Sequence, residues 1–190
     1  METCGGILTD HNLRPTVSLK GLLLTSADVP VGYSTQGPET TGSVDAQFYA
    51  SVPSTVPVWF IHFEMGSNTA PLSAASGTSD ISETIGEVDS AQTAEQQAAR
   101  IQTAAMQAQC LPDGRLIAIP GSVPNLSAIE GFGGSRAGSI AGMTVLVAKG
   151  PYVINVMWGA QSSSETATLT LPTLAELGSI VNKALTLVPD

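Results

Sequence analysis

The clearest alternation of hydrophobic and polar residues lies in residues 58–65 and has the two-residue period of a β-strand. One face of this predicted strand is wholly apolar and is expected to be core: Trp59, Ile61, Phe63 and Met65. The other face turns polar halfway along: Val58, Phe60, His62 and Glu64. We therefore expect this second face to run from covered to exposed.

Two further runs of β-branched residues predict a pair of antiparallel strands near the C-terminus. They are residues 143–148 and 152–158, separated by Lys149-Gly150-Pro151, which is typical of a hairpin turn. Residues 116–119 predict another short strand. A polar loop is expected after the hairpin at residues 159–165.

Helical spacing occurs in two segments. Residues 93–110 carry small apolar residues at helical intervals, with Thr93 and Gln96 at capping-box spacing. The acids of residues 80–95 are interpreted as the solvated start of this helix, where the macrodipole favours negative charge. The second helix follows Pro172, with Thr173 and Glu176 again at capping-box spacing and one apolar stripe behind them.

The remaining polar, Gly- and Pro-rich segments are predicted to be loops. They include residues 35–42, 66–78 and 120–138, the last with one turn of helix at 126–130. The sequence from Gly131 to Arg136 superficially resembles a phosphate-binding loop, but no helix is predicted after it. We interpret it as a flexible surface loop in which Phe132 and Arg136 form the rim of a ligand cleft.

Strands and two substantial helices in this order predict a single α+β domain over residues 1–190, with residues 1–18 flexible. The expected architecture is an antiparallel sheet covered on one side by two main helices, with the C-terminal hairpin followed by an amphipathic helix. A chain of 190 residues is long enough to bury a substantial core without metal or several disulfides.

The low charge content suggests where the protein works and what it does not bind. Charged residues are 12% of the chain, about half the usual share, and Ser, Thr, Gln and Gly supply the polarity, as in many secreted proteins. The net charge is −9, and no two of the seven basic residues lie within five positions of each other. This distribution excludes nucleic acid and anionic membrane surfaces as partners.

The two cysteines, Cys4 and Cys110, allow two interpretations. In an oxidising compartment they form one disulfide that closes a loop of about 100 residues. Alternatively Cys4, followed by Gly5-Gly6 as in bacterial lipoproteins, carries a lipid that would be the only membrane attachment, and Cys110 is a small buried residue. The first residues lack the features of a signal peptide, and we interpret them as an expression start at a mature N-terminus.

Candidate catalytic and metal-binding residues are few, and we expect a protein that is not an enzyme and needs no cofactor or metal. The histidines are His11 and His62, and no nucleophile-elbow motif is present. His62 is interpreted as an ordinary strand-end histidine, with a role in binding or catalysis as alternatives. The aromatic residues are interpreted as core, or as the floor of a cleft if the sheet is open on one side: Trp59, Phe60, Tyr152 and Trp158.

A family resemblance is carried by residues 22–33, whose sequence is LLLTSADVPVGY, and by the order of hairpin, polar loop and final helix. Both resemble secreted actinobacterial lipoproteins and the extracellular sensor domain of the mycobacterial serine/threonine kinase PknH. The resemblance implies an antiparallel sheet with flanking helices and a cleft for a small ligand. That kinase domain carries two disulfides, whereas this chain has cysteines for one, and no site residue is carried over.

These observations together predict a non-catalytic ligand-binding or sensing module of the cell envelope, secreted or lipid-anchored. Its partner would be a small molecule or an envelope protein. Two other functions remain open: a carrier of lipids or other apolar ligands, which requires an apolar cavity, and a hydrolase of unusual design with His62 as its base. The predicted ligand contacts are Trp59, Phe60, His62, Glu64, Phe132, Arg136, Tyr152 and Trp158.

Overall fold

A computed structural model describes residues 19–35, 40–44, 56–65, 77–107, 115–119, 127–135, 138–162, 169 and 171–189. A 3-10 helix, Lys20–Leu22, comes first. The strands are β1 (Ser34–Thr35), β2 (Thr40–Val44), β3 (Val56–Met65), β4 (Gly77–Glu87), β5 (Arg115–Ala118), β6 (Ser127–Ser135), β7 (Gly138–Lys149) and β8 (Tyr152–Ser162). The helices are α1 (Ala91–Gln107) and α2 (Leu174–Leu187).

The described strands form one antiparallel sheet of eight strands. Its order is β1-β3-β4-β8-β7-β6-β5, and β2 also pairs with β3. The longest pairings join β4 to β8 and β8 to β7. Strand β8 therefore lies in the middle of the sheet, although it is the last of the described strands. The predicted α+β class, with an antiparallel sheet and two main helices, is confirmed.

Alternation in the central strands separates an inner face from an outer face. The inner face consists of buried residues at every second position: Ile81, Glu83 and Ile85 of β4, Ile154, Val156 and Trp158 of β8, and Met143 and Val145 of β7. The outer face of β7 and β8 is partly exposed: Thr144, Leu146, Val153, Asn155 and Met157. Because side chains alternate along a strand, each strand contributes to both faces.

The inner face packs against α2 and against residues 19–33, which we call the strap. The strap contributes buried side chains to the core, among them Leu23, Leu24 and Tyr33, and α2 contributes Leu177 and Val181. Helix α1 lies against β6, β7 and β8, with Ala94 and Ala98 buried. Small side chains let this helix approach the sheet closely.

The C-terminal hairpin and helix agree with the prediction from sequence. Strands β7 and β8 are joined by Gly150-Pro151, and Gly150 has the positive φ of 52° that such a turn requires. At the start of α2 the Thr173 hydroxyl accepts from the Glu176 amide, and the Glu176 carboxylate accepts from the Thr173 amide. The predicted capping box is therefore present. Strand β8 extends to Ser162, into the predicted loop.

The prediction that the acids of residues 80–95 form a solvated helix start is wrong for the first three. Asp80, Glu83 and Glu87 lie in strand β4, and the helix begins only at Ala91. Its capping residue is Ser90, whose hydroxyl oxygen accepts from the Thr93 amide at 3.1 Å. The spacing of these acids resembles that of a helix face, but residues 77–87 pair with β3 and β8 on either side and are therefore a strand.

Two predicted loops are also strands. Strands β1 and β2 lie in and beside residues 35–42, and β6 covers the predicted turn of helix at 126–130 together with Gly131 to Ser135. Glycine disfavours strands intrinsically, but the β6 backbone is paired with β7 along its length. The flexible surface loop predicted for this region is therefore wrong up to Ser135, and Arg136 lies outside the described residues.

Candidate functional site

The most concentrated set of buried polar groups lies where the strap meets strands β4 and β8. The Tyr33 hydroxyl is hydrogen-bonded to the Ser79 hydroxyl at 2.6 Å, and Ser79 Oγ donates to the Gly159 carbonyl oxygen at 3.0 Å. The Trp158 indole N–H donates to the Tyr33 hydroxyl oxygen at 2.9 Å and lies 3.3 Å from Ser79 Oγ. These groups satisfy one another and fix the end of the strap on the sheet.

A second buried polar group, the carboxyl of Glu83, lies on the same face of β4 as Ser79, four residues further along the strand. Its neighbours on that face are Ile81 and Ile85. Glu83 is 0% exposed. Its Oε2 accepts a hydrogen bond from the Leu24 backbone amide at 2.6 Å. Its Oε1 is buried and has no hydrogen-bond partner among the described residues. One carboxyl oxygen therefore holds the strap, and the other is left in apolar surroundings.

Burial determines the protonation behaviour of Glu83. Loss of hydration raises the pKa of this carboxyl from 4.5 to about 7, the negative charge of Asp28 adds to the effect, and the hydrogen bond from Leu24 opposes it. Burial likewise raises the pKa of the Tyr33 hydroxyl above its usual 10.0, against hydrogen bonds from Ser79 and Trp158. Both groups are consequently neutral over more of the pH range than their exposed counterparts.

Asp28 organises the middle of the strap. Its Oδ2 accepts from the Thr25 amide at 2.8 Å and from the Thr25 hydroxyl at 2.7 Å, and its Oδ1 lies 3.3 Å from Nζ of Lys183 on α2. Partial burial opposes ionisation, but the hydrogen bonds from Thr25 and the Lys183 ammonium together lower the pKa of Asp28. The hydrogen bonds between Thr25 and Asp28 close a short turn in the strap.

The outer face of β7 and β8 has a different chemistry. Its described residues between Gly142 and Gln161 are all uncharged, and Met157 is 37% exposed in the middle of the sheet. Beside it, the Thr144 hydroxyl donates to Asn155 Oδ1 at 2.7 Å. This surface combines apolar side chains with amide and hydroxyl groups and carries no formal charge on these two strands.

Four of the predicted ligand-contact residues lie on β3: Trp59, Phe60, His62 and Glu64. Their register positions pair Phe60 with Thr84, His62 with Ser82 and Glu64 with Asp80, whereas Trp59 pairs with Ile85 of the inner face. His62 and Glu64 therefore adjoin the strand positions of β4 that alternate with Ile81 and Glu83. These pairings place His62 level with Met157 of β8, with Ser82 of β4 between them.

The other predicted contact residues do not converge on the same place. Trp158 is in the core with Tyr33, and Tyr152 is half-buried at the opposite end of β8, next to the hairpin turn. Phe132 lies within β6, paired with Ala141, and not on a loop. Arg136, Cys4 and Cys110 lie outside the described residues, as does His11, so both interpretations of the cysteines remain predictions.

The sequence interpretation missed Tyr33, Ser79 and Glu83, although a signal for Glu83 exists. Ile81, Glu83 and Ile85 alternate with small polar residues at the two-residue period of a strand. Ser79 and Tyr33 carry no such local signal because their partners lie in distant segments. The strap does coincide with residues 22–33, the segment on which the family resemblance was based.

Comparison with known proteins adds no relative to this picture: no family model, curated protein or solved structure matches the chain. In the part of the chain that the structure describes, no helix is long and apolar enough to cross a membrane. The same described residues contain no group of three or more His, Cys, Asp or Glu side chains suited to a metal ion.

Proposed function

We propose that this chain is a non-catalytic module that works outside the cytoplasm and binds or senses an uncharged ligand on the outer face of its sheet. The observation that carries the proposal is the partly exposed, uncharged surface around Met157 and Asn155 on β8. Although the chain has a net charge of −9, β7 and β8 carry no charge on this side, and the Asp80 carboxylate of β4 lies at the edge of the surface, over Gly159. The uncharged part of such a surface is easily desolvated.

The side chains of this surface suit binding by shape and a few hydrogen bonds. Met157 is flexible and polarizable, and such side chains adapt to ligands of different outline. Asn155 and Thr144 supply amide and hydroxyl groups for orientation, as polar residues do in sites that are otherwise apolar. His62 on β3, which β4 separates from β8, belongs to the same proposal as a further hydrogen-bonding residue.

The non-catalytic part of the proposal is supported by what the buried hydroxyls and the buried carboxyl do. Tyr33 and Ser79 are engaged with each other, with Trp158 and with a backbone carbonyl. Glu83 faces the core and the Leu24 amide. These groups attach the strap to the sheet, and that structural role accounts for their presence.

The cellular location is part of the proposal and is supported by sequence. Few charges and many Ser, Thr and Gln residues are typical of secreted proteins, and the strap sequence resembles that of secreted lipoproteins and of sensor domains of the PknH type. A lipid on Cys4 or a disulfide between Cys4 and Cys110 would each be consistent with such a location.

Native mass spectrometry of the protein isolated undenatured from its source, with and without reductant, tests the proposal. We expect a non-covalent adduct of a neutral small molecule on the wild type, lost in Met157→Lys and retained in Val31→Lys, which changes a fully exposed apolar residue of the strap. An adduct retained equally by both variants, or a bare polypeptide mass for the wild type, would contradict it. An acyl lipid as the adduct would favour the carrier function instead.

A further inference from the structure

The strap is attached to the inner face at two points of different chemistry. At Tyr33 the attachment is a network of neutral hydroxyl and indole groups. At Leu24 it is a single hydrogen bond from the backbone amide to the carboxyl of Glu83. Only the second attachment contains a group that gains or loses a proton at moderate pH.

We propose that Glu83 is a proton-operated latch: its neutral carboxyl keeps the strap on the inner face of the sheet, and its ionisation weakens that attachment. The latch is a property of the fold and does not depend on the proposed ligand. The proton is exchanged with solvent water, and no other group is altered.

The geometry favours the neutral form while the strap is closed. Glu83 is fully buried between Ile81 and Ile85, and within the described part of the chain Oε1 has no hydrogen-bond partner. A carboxylate in such a place must be stabilised by one N–H donor alone, and a buried charge with so few partners is costly. Lifting the Leu24 segment admits water to the carboxylate, so ionisation and strap opening favour each other.

The charged and titratable groups around Glu83 do not offset its negative charge directly. Asp28 of the strap adds negative charge, and the cation nearest to Asp28, Lys183 of α2, is paired with it at 3.3 Å. The other ionisable residues on the elements packed against Glu83 are Lys20 and Tyr33 on the strap, Asp80 and Glu87 on β4, His62 and Glu64 on β3, Tyr152 on β8, and Glu176 on α2.

Hydrogen exchange of the Leu24 and Asp28 amides at pH 5 and pH 8, divided by the intrinsic exchange rate at each pH, tests the latch. The amides of Val145 and Val156 in the sheet serve as internal references. With a pKa of about 7 when the strap is closed and 4.5 when it is open, the opening equilibrium rises by at most about 70-fold between these pH values. We expect Leu24 to lose at least tenfold of its protection while the sheet amides do not.

Two amide variants separate the latch from a general effect of pH. Glu83→Gln, which cannot ionise, is expected to show the same Leu24 protection at both pH values. Glu87→Gln makes the same chemical change at the half-buried end of β4 and is expected to keep the wild-type dependence. Wild-type protection that is constant within threefold, or a pH dependence that persists in Glu83→Gln, would overturn the proposal.

A measurement on the wild type covers the case in which Glu83→Gln does not fold. Carboxyl carbons of glutamate labelled with carbon-13 report the titration of Glu83 directly, and the Leu24 amide shift reports the strap. Coincident midpoints between pH 6 and 8 support the latch. A Glu83 carboxyl that is already ionised at pH 5, or a Leu24 amide shift that does not follow its titration, would refute it.

Discussion

The indole N–H of Trp158 donates a hydrogen bond to the hydroxyl oxygen of Tyr33 over 2.9 Å, and the two rings meet edge to face with their centroids 5.8 Å apart. The two residues are 125 positions apart in the sequence. Their contact closes the strap onto β8, the central strand, and Ser79 of β4 joins it through a second hydroxyl. One aromatic pair thus connects three separate segments of the chain.

Removing the Tyr33 hydroxyl tests how much this contact contributes. In Tyr33→Phe the ring contact remains, but Trp158 and Ser79 each lose a hydrogen-bond partner in a buried place. We expect the free energy of unfolding in denaturant to fall by about 1 to 2 kcal/mol. Tyr152→Phe, at the other end of β8, is the matched control and should change it by less than about 0.5 kcal/mol. Equal effects of the two variants would contradict a special role for the Tyr33 hydroxyl.

The hairpin turn provides a second prediction. Gly150 has a φ of 52°, which a residue with a side chain adopts only at a cost. Gly150→Ala should therefore lower the free energy of unfolding by about 1 to 2 kcal/mol. Gly21→Ala, in the 3-10 helix, is the control: a Cβ there meets no atom within 4 Å, and we expect no loss of stability. Thermal unfolding of both variants beside the wild type measures the difference.

The elements that could be predicted from sequence are those whose signals are local. The hairpin requires only two β-branched runs and a Gly-Pro pair between them. Helix α2 requires only its apolar stripe and the cap formed by Thr173 and Glu176. In both cases the residues that determine the structure are within a few positions of one another, so no knowledge of the rest of the chain is needed.

Strand β4 carries two competing local signals: Ile81, Glu83 and Ile85 alternate at the period of a strand, whereas its acids have a helix-like spacing. Asp80, Glu83 and Glu87 imitate the spacing of a helix face, and an acid is expected in water unless it is paired. The partner of Glu83 is a backbone amide 59 residues earlier in the chain. A backbone donor leaves no trace in the sequence, so this part of the candidate site becomes visible only in the fold.

The Gly-rich strand β6 illustrates a different limit. Gly131, Gly133 and Gly134 have no side chains whose alternation could indicate a strand, and their intrinsic preference is for loops. Pairing with β7 from Ala128 to Ser135 supplies the missing information. That pairing is a tertiary interaction. The local preferences of the segment therefore predict a loop, and the prediction is wrong.

The cap of α2 leads to a third prediction. The Thr173 hydroxyl accepts from the Glu176 amide at 3.2 Å and donates to the Glu176 carboxylate at 2.7 Å. The Thr173 backbone amide, which donates to the Glu176 carboxylate at 2.8 Å, and then the Thr173 hydroxyl hold the pKa of Glu176 below its usual value. Thr173→Ala should lower the free energy of unfolding by about 1 kcal/mol. Thr186→Ala, in the last turn of the same helix, should be close to neutral because alanine is the better helix former there. A larger loss in Thr186→Ala would argue against the cap.

The last prediction concerns the dependence of global stability on pH. The pKa of Glu83 is about 7 in the folded protein and near 4.5 when the residue is exposed. Between these values the unfolded chain has lost its proton and the folded chain keeps it, so raising the pH favours unfolding. The contribution of Glu83 to stability is therefore highest below about pH 4.5 and falls by roughly 3 kcal/mol up to pH 7 and above.

Glu83→Gln isolates this contribution. Its stability relative to the wild type should rise by an amount on the order of 2 to 3 kcal/mol between pH 4.5 and pH 8, since the amide has no proton to lose over that range. Other carboxyls, including Asp28 and Glu176 with their lowered pKa values, titrate in both proteins and cancel in the difference. Denaturant unfolding at half-unit pH steps gives that difference directly. A difference that is constant across this range would mean that Glu83 is ionised in the folded core.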